Sequence, residues 1–393
     1  MNFCGIICEF NPFHNGHEYL IQQTKKILNC DIVCLMSGDF VQRGIPAIES
    51  KYERAKKAID AGADMVAELP CIYACSNAEN FAFGAIKTLS ALNITHLAFG
   101  IENSNLEILK QIADLKVQNS QEFQNAFKNE IENGINYNTA LKRTIAKCFN
   151  DDENILDILA KPNNILAIEY LSAIKKLGAK IIPIAINRID NGFESRISQD
   201  KFLSATAIRE RLANGENVDN FIPKFAKIKE PFSKNHYEIF EKLAIFKLRM
   251  TTAKELEKYY DFQEGIEYRI KEIYEKYNYL DEITNQTATP RYRKPRINKL
   301  LIYPLLEITK QIQQKSKQTK AVCKLLAIKK DKKYLLSIIR KTKINLIITN
   351  NDYKLLNNNQ RKLIDIDLNA SNIYNLITNK IHNCDKKTGV IFK

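Results

Sequence analysis

The chain has 393 residues, 45% of them apolar and 26% charged, which is ordinary for a globular protein of two or three domains. Residues 1–210 hold 22 Lys and Arg against 25 Asp and Glu, a net charge of −3. Residues 211–393 hold 37 against 20, a net charge of +17. Such asymmetry is typical of a near-neutral module joined to one that meets a polyanion.

Local patterns exclude membrane and secreted classes. No apolar run reaches the ~18–20 residues that span a bilayer. Residues 1–10 run directly into a predicted strand and lack the basic start and cleavage site of a signal peptide. The nine cysteines are an odd number in a chain too long to depend on disulfides, so we expect a reducing, cytoplasmic setting.

Six cysteines share the spacing C-x3-C, as the pairs Cys4/Cys8, Cys30/Cys34 and Cys71/Cys75. Zinc sites usually use C-x2-C or C-x4-C pairs in loops, whereas these cysteines flank or lie within apolar runs. We therefore expect buried thiols that act as small apolar side chains, and no zinc.

The first half alternates short apolar runs with stretches of helical periodicity. The apolar runs are residues 3–8, 32–36, 65–69, 96–99 and 180–186. The helical stretches are residues 17–28, 49–61, 77–92 and 164–177. This alternation predicts a Rossmann-like, doubly wound α/β fold with a parallel sheet buried on both faces. Residues 104–162 read as a helical insert before the fifth strand.

The second half is basic and predicted to be mainly helical, with helices at 237–250, 254–260 and 265–279. Residues 333–339 and 344–348 read as strands. The best boundary lies near residues 214–223, which divides the chain into regions 1–215 and 216–393.

The strongest local signal is residues 10–17, FNPFHNGH, which follow the first predicted strand and open the first helix. Two of the five histidines, His14 and His17, are spaced i, i+3 here, with Gly16 between them. A helix N-terminus presents free N–H groups to a phosphate, and imidazoles can donate hydrogen bonds to it as charge builds. The alternative is a capped loop with two surface histidines.

This pattern resembles the H-x-G-H signature of the nucleotidyltransferase superfamily, which class I aminoacyl-tRNA synthetases share. The resemblance implies ATP bound on a Rossmann-like sheet and nucleotidyl transfer with release of pyrophosphate. Ser204, Thr206 and Arg209 resemble the S-x-T-x-x-R segment that closes such domains, where hydroxyls and a guanidinium meet the phosphates. The alternative there is an ordinary N-cap with a surface arginine.

Polar residues also follow the other predicted strands, at 37–44, 68–70, 99–102 and 187–190. Ligands of open α/β sheets bind outside the carboxyl ends of the strands, so each loop is a candidate wall of one site. Any one of them could equally be a turn or a structural ion pair.

Longer stretches make the resemblance more specific. Residues 9–17, 37–69, 77–102, 162–166 and 291–306 together resemble the tRNA(Met) cytidine acetate ligase family. That family is described as making acetyl-adenylate from ATP and acetate, and then acetylating the wobble cytidine of elongator tRNA(Met). The resemblance therefore implies an ATP-dependent ligase whose partners are ATP, acetate and this tRNA.

The resemblance also implies where ATP is contacted. Contacts are expected at Gly100, at Asn163 or Asn164 with Asn163 preferred, at Arg188, and along the first-strand segment. That segment consists of Ile7, Cys8, Glu9, Phe10, Asn11, Pro12, Phe13, His14, Asn15, Gly16, His17, Glu18, Tyr19 and Leu20. The chain departs from the family pattern at Ile101, where serine is expected, which weakens any side-chain contact there but leaves a backbone contact at Gly100 unaffected.

A mechanism follows as a hypothesis. Acetate attacks the α-phosphate, while His14 and His17 stabilise charge there and on the departing pyrophosphate. Mg²⁺ is expected to be bound through phosphate oxygens and water rather than by a protein cage. Asp39 and Arg43 are further candidates for the acetate or phosphate site, although no spacing argument places Arg43.

The RNA partner is assigned to residues 291–299. The candidates there are Arg291, Tyr292, Arg293, Lys294, Arg296 and Lys299. Basic groups bind phosphates, and an aromatic ring can stack on an unpaired base. The alternative is a solvated charged surface.

Two other functions compete. A small-molecule nucleotidyltransferase of cofactor synthesis would share both phosphate motifs but would not need a second half of charge +17. A non-catalytic RNA-binding protein with a vestigial nucleotide site is disfavoured because both His14 and His17 are present.

Overall fold

The five strands predicted in the first half pair parallel to one another in one sheet of this computed structural model. The structure describes residues 3–133, 135, 137–189, 201–290, 292–342 and 344–393. The strands are β1 Phe3–Cys8, β2 Asp31–Ser37, β3 Met65–Leu69, β4 His96–Ile101, β5 Ile182–Asn187, β6 Val322–Ile328, β7 Asn345–Ile347 and β8 Ile391–Phe392. The apolar strands β1–β4 and β6 are mostly buried, as predicted for β1–β4. The edge strand β5 is partly exposed, contrary to the expectation of burial on both faces.

The strand order is β5-β4-β1-β2-β3-β6-β7, and β8 pairs with β6. β1 lies between β2 and β4 in parallel register, with Gly5 opposite both Val33 and Leu97. The order of the chain reverses between β1 and β4, so a crevice opens there outside the carboxyl ends of the strands. The predicted α/β, doubly wound fold is therefore confirmed.

Helices cover both faces of this sheet. Those of the first half are α1 Asn15–Leu28, α2 Lys51–Asp60, α3 Cys71–Ala74, α4 Ala78–Ala91, α5 Leu106–Gln118, α6 Gln121–Glu132, α7 Tyr137–Cys148, α8 Glu153–Ala160, α9 Pro162–Lys176 and α10 Ala205–Ala213. Ser50 and Asn77 cap α2 and α4 by accepting hydrogen bonds from the third residue of each helix. The helical insert predicted between β4 and β5 is confirmed as α5–α8.

The second half adds helices α11 Lys234–Met250, α12 Ala253–Leu256, α13 Ile266–Tyr274, α14 Leu280–Thr287, α15 Lys294–Leu306, α16 Lys310–Gln318, α17 Tyr334–Ile339, α18 Asn358–Ile377 and α19 Cys384–Lys387. Short 3-10 helices lie at Asp219–Phe221, Lys224–Ala226, Lys330–Lys332 and Asn350–Leu355. In the part of the chain so described, no helix is both long and apolar enough to cross a bilayer.

One strand prediction in this half is wrong and another is confirmed. Residues 333–339 were expected to be extended, but α17 covers them because Leu335 and Ile339, spaced i, i+4, bury one helical face. The strand expected at 344–348 is present as β7. Strand β6, whose seven residues are all buried, was not predicted from the sequence.

β6 carries the sheet across the predicted boundary at residue 215. It pairs antiparallel with β3, with Met65 opposite Ile328. The second half is thus a mixed α/β region whose sheet continues that of the first half. The division into regions 1–215 and 216–393 stays a prediction.

A buried ion cluster, formed by Lys51, Glu68, Lys324 and Asp385, also joins the two halves. The Lys51 ammonium lies 2.8 Å from Glu68 and 3.0 Å from Asp385, and Lys324 lies 2.9 Å from Asp385. All four side chains are at most 8% exposed. Burial raises the pKa of Glu68 to about 7 although Lys51 opposes the shift.

Candidate active site

The turn between β1 and α1 brings the histidine motif to the mouth of the β1/β4 crevice. Phe10 has a φ of +49°, in the left-handed region that a residue with a side chain rarely adopts. The Asn11 side-chain oxygen accepts a hydrogen bond from the Ile48 amide at 2.8 Å, which anchors the turn to the loop after β2. His14 follows as the N-cap of α1.

His14 and His17 are locked together by reciprocal capping. The Gly16 amide donates to Nδ1 of His14 at 3.1 Å, and the His14 amide donates to Nδ1 of His17 at 3.2 Å. The two rings stack with centroids 3.7 Å apart and planes at 27°. Because Nδ1 of each ring is an acceptor, each neutral ring carries its proton on Nε2, where it can donate to a ligand.

Both histidines are held neutral. His14 is 3% exposed, and burial together with Arg188 and Arg209 lowers its pKa to about 3. Burial, His14 and Arg188 lower the pKa of His17 well below its usual value. The pair therefore donates hydrogen bonds at neutral pH without adding positive charge.

Arg188 lies beside Gly100, across the crevice from the histidines. Its backbone amide donates to the carbonyl of Ile101 at 3.0 Å, which extends the β4–β5 pairing past the end of β5. A Cβ added at Gly100 would approach the Arg188 Cγ to 3.1 Å, so any larger residue would have to displace the Arg188 side chain slightly. Within the described residues the buried Arg188 Nε has no hydrogen-bond partner, which suits an arginine that meets an anion.

The S-x-T-x-x-R segment meets the histidine motif. Ser204 caps α10, and Arg209 donates to the carbonyl of Asn11 at 2.6 Å and to Thr206 Oγ1 at 3.2 Å. The guanidinium of Arg209 and the hydroxyls of Ser204 and Thr206 therefore lie on the side of the crevice where α1 begins. Burial, and secondarily the positive charge of Arg43, lower the pKa of Arg209.

The two asparagines at the start of α9 differ in their surroundings. Asn164 is fully buried, accepts from the Glu102 amide at 2.8 Å, and donates to the carbonyls of Glu102 and Ile158 at 2.7 and 3.2 Å. Both of its N–H donors and its oxygen are thus used within the protein. Asn163 is only partly buried, and its backbone amide donates to the Glu102 carboxylate at 3.2 Å.

Two neutral imidazoles, two guanidinium groups and the start of α1 thus lie around the switch point of the sheet, an arrangement that suits an anionic ligand. The HIGH Nucleotidyl Transferase family matches residues 1–388. The tRNA(Met) cytidine acetate ligase of Thermoanaerobacter sp. (strain X514) is 37% identical to the chain, over 96% of this chain and 95% of its own length. The tRNA(Met) cytidine acetate ligase of Clostridium perfringens (strain ATCC 13124) is 32% identical, over 96% of each chain. The chain belongs to the tRNA(Met) cytidine acetate ligase family. The crystal structure of Thermotoga maritima TmcAL bound with alpha-thio ATP matches with a TM-score of 0.88 at 26% identity, covering 100% of this chain and 99% of that one.

In this member of the ligase family, the other residues of segment 7–20 pack around the histidines or tie the turn and α1 to neighbouring segments. Phe10 and Phe13 are buried, and their ring centroids lie 4.9 and 5.6 Å from that of His17. Asn15 donates to the carbonyls of Lys201 and Asn220 at 2.8 and 2.9 Å. The others, Ile7, Cys8, Pro12, Glu18, Tyr19 and Leu20, are buried or partly buried around this turn and α1.

Asp39 lies apart from the histidines and the arginines. Its carboxylate accepts hydrogen bonds from the Lys51 amide at 3.0 Å and from the Ser371 hydroxyl at 2.8 Å, next to the buried ion cluster. These contacts give Asp39 a structural role, and its assignment to the acetate or phosphate site stays a prediction. Arg43, in contrast, is exposed and close to Arg209.

The structure revises the predicted tRNA segment. Tyr292 is 8% exposed, and its hydroxyl donates to the Glu264 carbonyl at 3.1 Å, so its ring is part of the core and cannot stack on a base. Arg296 pairs with Asp261 at 2.8 Å and lies over the Tyr292 ring. Arg293 and Lys294 are exposed, although Arg293 donates to Thr139 at 2.7 Å. Arg291 lies outside the described residues.

Two residues near the site were not recognised from the sequence. Arg54 is fully buried and donates to the carbonyls of Glu9, Ser37 and Gly38, which fixes the ends of β1 and β2 against each other. Lys299, assigned to tRNA from its neighbours, instead lies against the loop after β2. A buried arginine in a helix has no sequence signal beyond its position on the apolar face.

Proposed function

We propose that this protein is an ATP-dependent ligase that activates acetate as acetyl-adenylate and acetylates the wobble cytidine of elongator tRNA(Met). The single observation that carries the proposal is the neutral His14/His17 pair at the start of α1, between Arg188 and Arg209. The names of the relatives, and the alpha-thio ATP bound to TmcAL, support the choice of substrates.

The first step is in-line displacement at the α-phosphate. An acetate oxygen attacks phosphorus while the bond to the bridging oxygen breaks, and pyrophosphate leaves with the electron pair. The Nε2–H groups of His14 and His17 donate to the oxygens on which charge builds, and the N-terminus of α1 adds its free amides. Arg188 and Arg209 supply the positive charge that the neutral histidines lack.

The adenosine side of the nucleotide is assigned to the β4–β5 edge of the crevice. Gly100 allows close backbone approach, and Asn163 is the member of the asparagine pair with a side chain left to contact the ligand. Asn164 supports this edge by holding the loop at Glu102. Mg²⁺ would be held by phosphate oxygens and water, as this ion usually is in nucleotide sites.

The second step transfers the acetyl group. The exocyclic amine of the cytidine attacks the carbonyl carbon, AMP leaves with the electron pair of the C–O bond, and the amine loses one proton. No covalent enzyme intermediate is required. The net charge of +17 on residues 211–393 supports RNA binding by that half, and the exposed Arg293 and Lys294 are its best remaining candidates in the 291–299 segment.

The test is mass spectrometry of tRNA nucleosides after incubation of the purified protein with ATP, acetate and tRNA. Acetylated cytidine confined to elongator tRNA(Met), and dependent on both ATP and acetate, is the expected product. A parallel reaction with His14→Asn controls for contaminating activities. Adenylyl transfer to a mononucleotide or to phosphopantetheine in place of acetate would favour a small-molecule nucleotidyltransferase instead.

A further inference from the structure

Lys299 belongs to the edge of the activation site rather than to a solvated RNA-binding face. It lies on α15 between Arg296 and Tyr303, which both contact other elements. Arg296 pairs with Asp261 at 2.8 Å, and the Tyr303 hydroxyl donates to the Cys75 carbonyl at 3.1 Å. Residues 296, 299 and 303 share one face of a helix, so Lys299 is held on the face that these two contacts turn inward.

The backbone around Lys299 touches the loop after β2. A Cβ added at Gly44, which has a φ of +75°, would lie 3.2 Å from the Lys299 Cα and 3.2 Å from the Asn298 carbonyl oxygen. Only glycine allows the loop and the helix to approach this closely. The contact packs α15 against the loop after β2, and the Tyr303 hydroxyl ties the same helix to Cys75, beyond the end of β3.

The Lys299 ammonium has no counter-ion in contact. Among the described residues it forms no ion pair within 4.0 Å and no hydrogen bond, although the charges of Glu9, Cys75 and Asp261 act on it. Burial lowers its pKa, whereas these three groups oppose the shift. Glu9 already accepts a hydrogen bond from the Gln42 amide at 2.7 Å. A partly buried cation without a partner is costly unless a ligand supplies the opposite charge.

The position of Lys299 distinguishes it from the phosphate-binding cations. His14 and His17 lie at the start of α1, Arg188 follows β5 and Arg209 lies on α10. Lys299 instead lies on α15, which contacts the loop after β2 at Gly44, and its ammonium is within electrostatic range of Glu9 at the end of β1. In an in-line displacement the attacking and leaving oxygens lie on opposite sides of phosphorus. A cation opposite the pyrophosphate-binding groups is where an attacking carboxylate has to be held.

We propose that Lys299 binds the carboxylate of acetate and positions it for attack on the α-phosphate. This inference rests on the proposed function, since it names the residue that receives the acid substrate. It also gives the C-terminal half a part in the activation step, which takes place before any tRNA is modified. Lys299 is thereby withdrawn from the tRNA-binding candidates.

Acetate-dependent ATP–pyrophosphate exchange without tRNA tests the proposal, with acetate and ATP varied separately. In Lys299→Met and Lys299→Gln the KM for acetate should rise about tenfold or more, while the KM for ATP stays within about twofold of the wild type, because only the charged contact to the carboxylate is lost. Lys299→Arg should recover part of the loss. Lys242→Met, which removes an exposed lysine from α11, is the matched control and should leave both constants unchanged.

Each other outcome overturns the proposal. Unchanged acetate and ATP constants would show that Lys299 takes no part in activation. A rise in the KM for ATP equal to or larger than that for acetate would assign Lys299 to a phosphate. A loss of tRNA binding with intact exchange would return it to the RNA surface. A wild-type protein with no acetate-dependent exchange would refute the proposed function itself, and this inference with it.

Discussion

The rings of His14 and His17 stack 3.7 Å apart, and each uses its Nδ1 to accept a backbone amide of the same turn. The pair thus replaces the usual Ser and Glu of a capping box with two imidazoles. The capping contacts fix the tautomer, and burial together with Arg188 fixes the neutral charge state. Structure and chemistry depend here on the same two hydrogen bonds.

Asparagine at position 14 separates the capping role of His14 from its role as a hydrogen-bond donor to the substrate. Because Asn is a good N-cap, His14→Asn should fold with a stability close to that of the wild type, whereas His14→Ala should lose about 1 kcal/mol of unfolding free energy. Both variants lose the Nε2–H donor, so exchange should fall by about 100-fold or more in kcat. Thermal unfolding and exchange kinetics on the same samples give both readings. Exchange retained in His14→Asn would contradict the assignment.

The low pKa of His14 makes stability depend on pH in a defined direction. Its pKa is about 3 in the folded protein against 6.5 in the unfolded chain, so between these values the unfolded chain binds more protons. Stability should therefore fall as pH decreases from about 7, by about 2 kcal/mol at pH 5 from this group alone. Urea unfolding at several pH values should show a shallower decrease for His14→Asn. Parallel curves for the two proteins would show that His14 titrates normally.

Asn163 and Asn164 are expected to respond differently to alanine. Asn163→Ala should raise the KM for ATP several-fold with little change in stability, because its side chain is the one available to a ligand. Asn164→Ala removes a fully buried side chain and its three hydrogen bonds, so the unfolding free energy should fall by about 1–3 kcal/mol. Equal effects of the two variants on ATP binding would contradict this division of roles.

The buried ion cluster predicts a compensating pair of substitutions. Lys51→Met leaves Glu68 and Asp385 buried beside an apolar side chain and should cost about 3–5 kcal/mol of unfolding free energy. Glu68→Gln removes one of these carboxylates, so the double variant should be more stable than Lys51→Met alone. Urea unfolding of the wild type, both single variants and the double variant measures the coupling. Additive losses would show that the two residues do not act as a pair.

The sequence was sufficient for the β1–β5 sheet because each strand there is a short apolar run between amphipathic helices. It was also sufficient for the histidine motif, since a strand, a tight turn and a helix start follow one another within about ten residues. β6 was missed because one isolated apolar run does not reveal that it will pair with β3, some 250 residues earlier in the chain. Long-range pairing has no local signal.

The basic segment shows the other limit of sequence reasoning. Composition located the positive charge in the second half but could not tell which cations face solvent. Helix α15 turns Arg296 to Asp261 and Lys299 to the loop after β2, and Tyr292, two residues before the helix begins, lies in the core. These orientations depend on contacts with residues of other elements, which the local sequence does not reveal. For this reason the ring of Tyr292, predicted to stack on RNA, is instead a core residue.

The tRNA surface is therefore best tested at the exposed start of α15. Lys294→Glu should weaken tRNA binding several-fold and lower the slope of log affinity against log salt by about 1, because one phosphate contact is lost. Exchange without tRNA should be unaffected. Filter binding or calorimetry at several salt concentrations measures the slope.

Tyr292→Phe is the matched control for this surface. It removes the hydroxyl that donates to Glu264 but keeps the ring in the core, so stability should fall by about 1 kcal/mol while tRNA affinity stays the same. The two variants thus separate surface charge from buried structure in adjacent residues. Salt-insensitive tRNA binding, or a loss of affinity in Tyr292→Phe equal to that in Lys294→Glu, would move the RNA contact elsewhere in the second half.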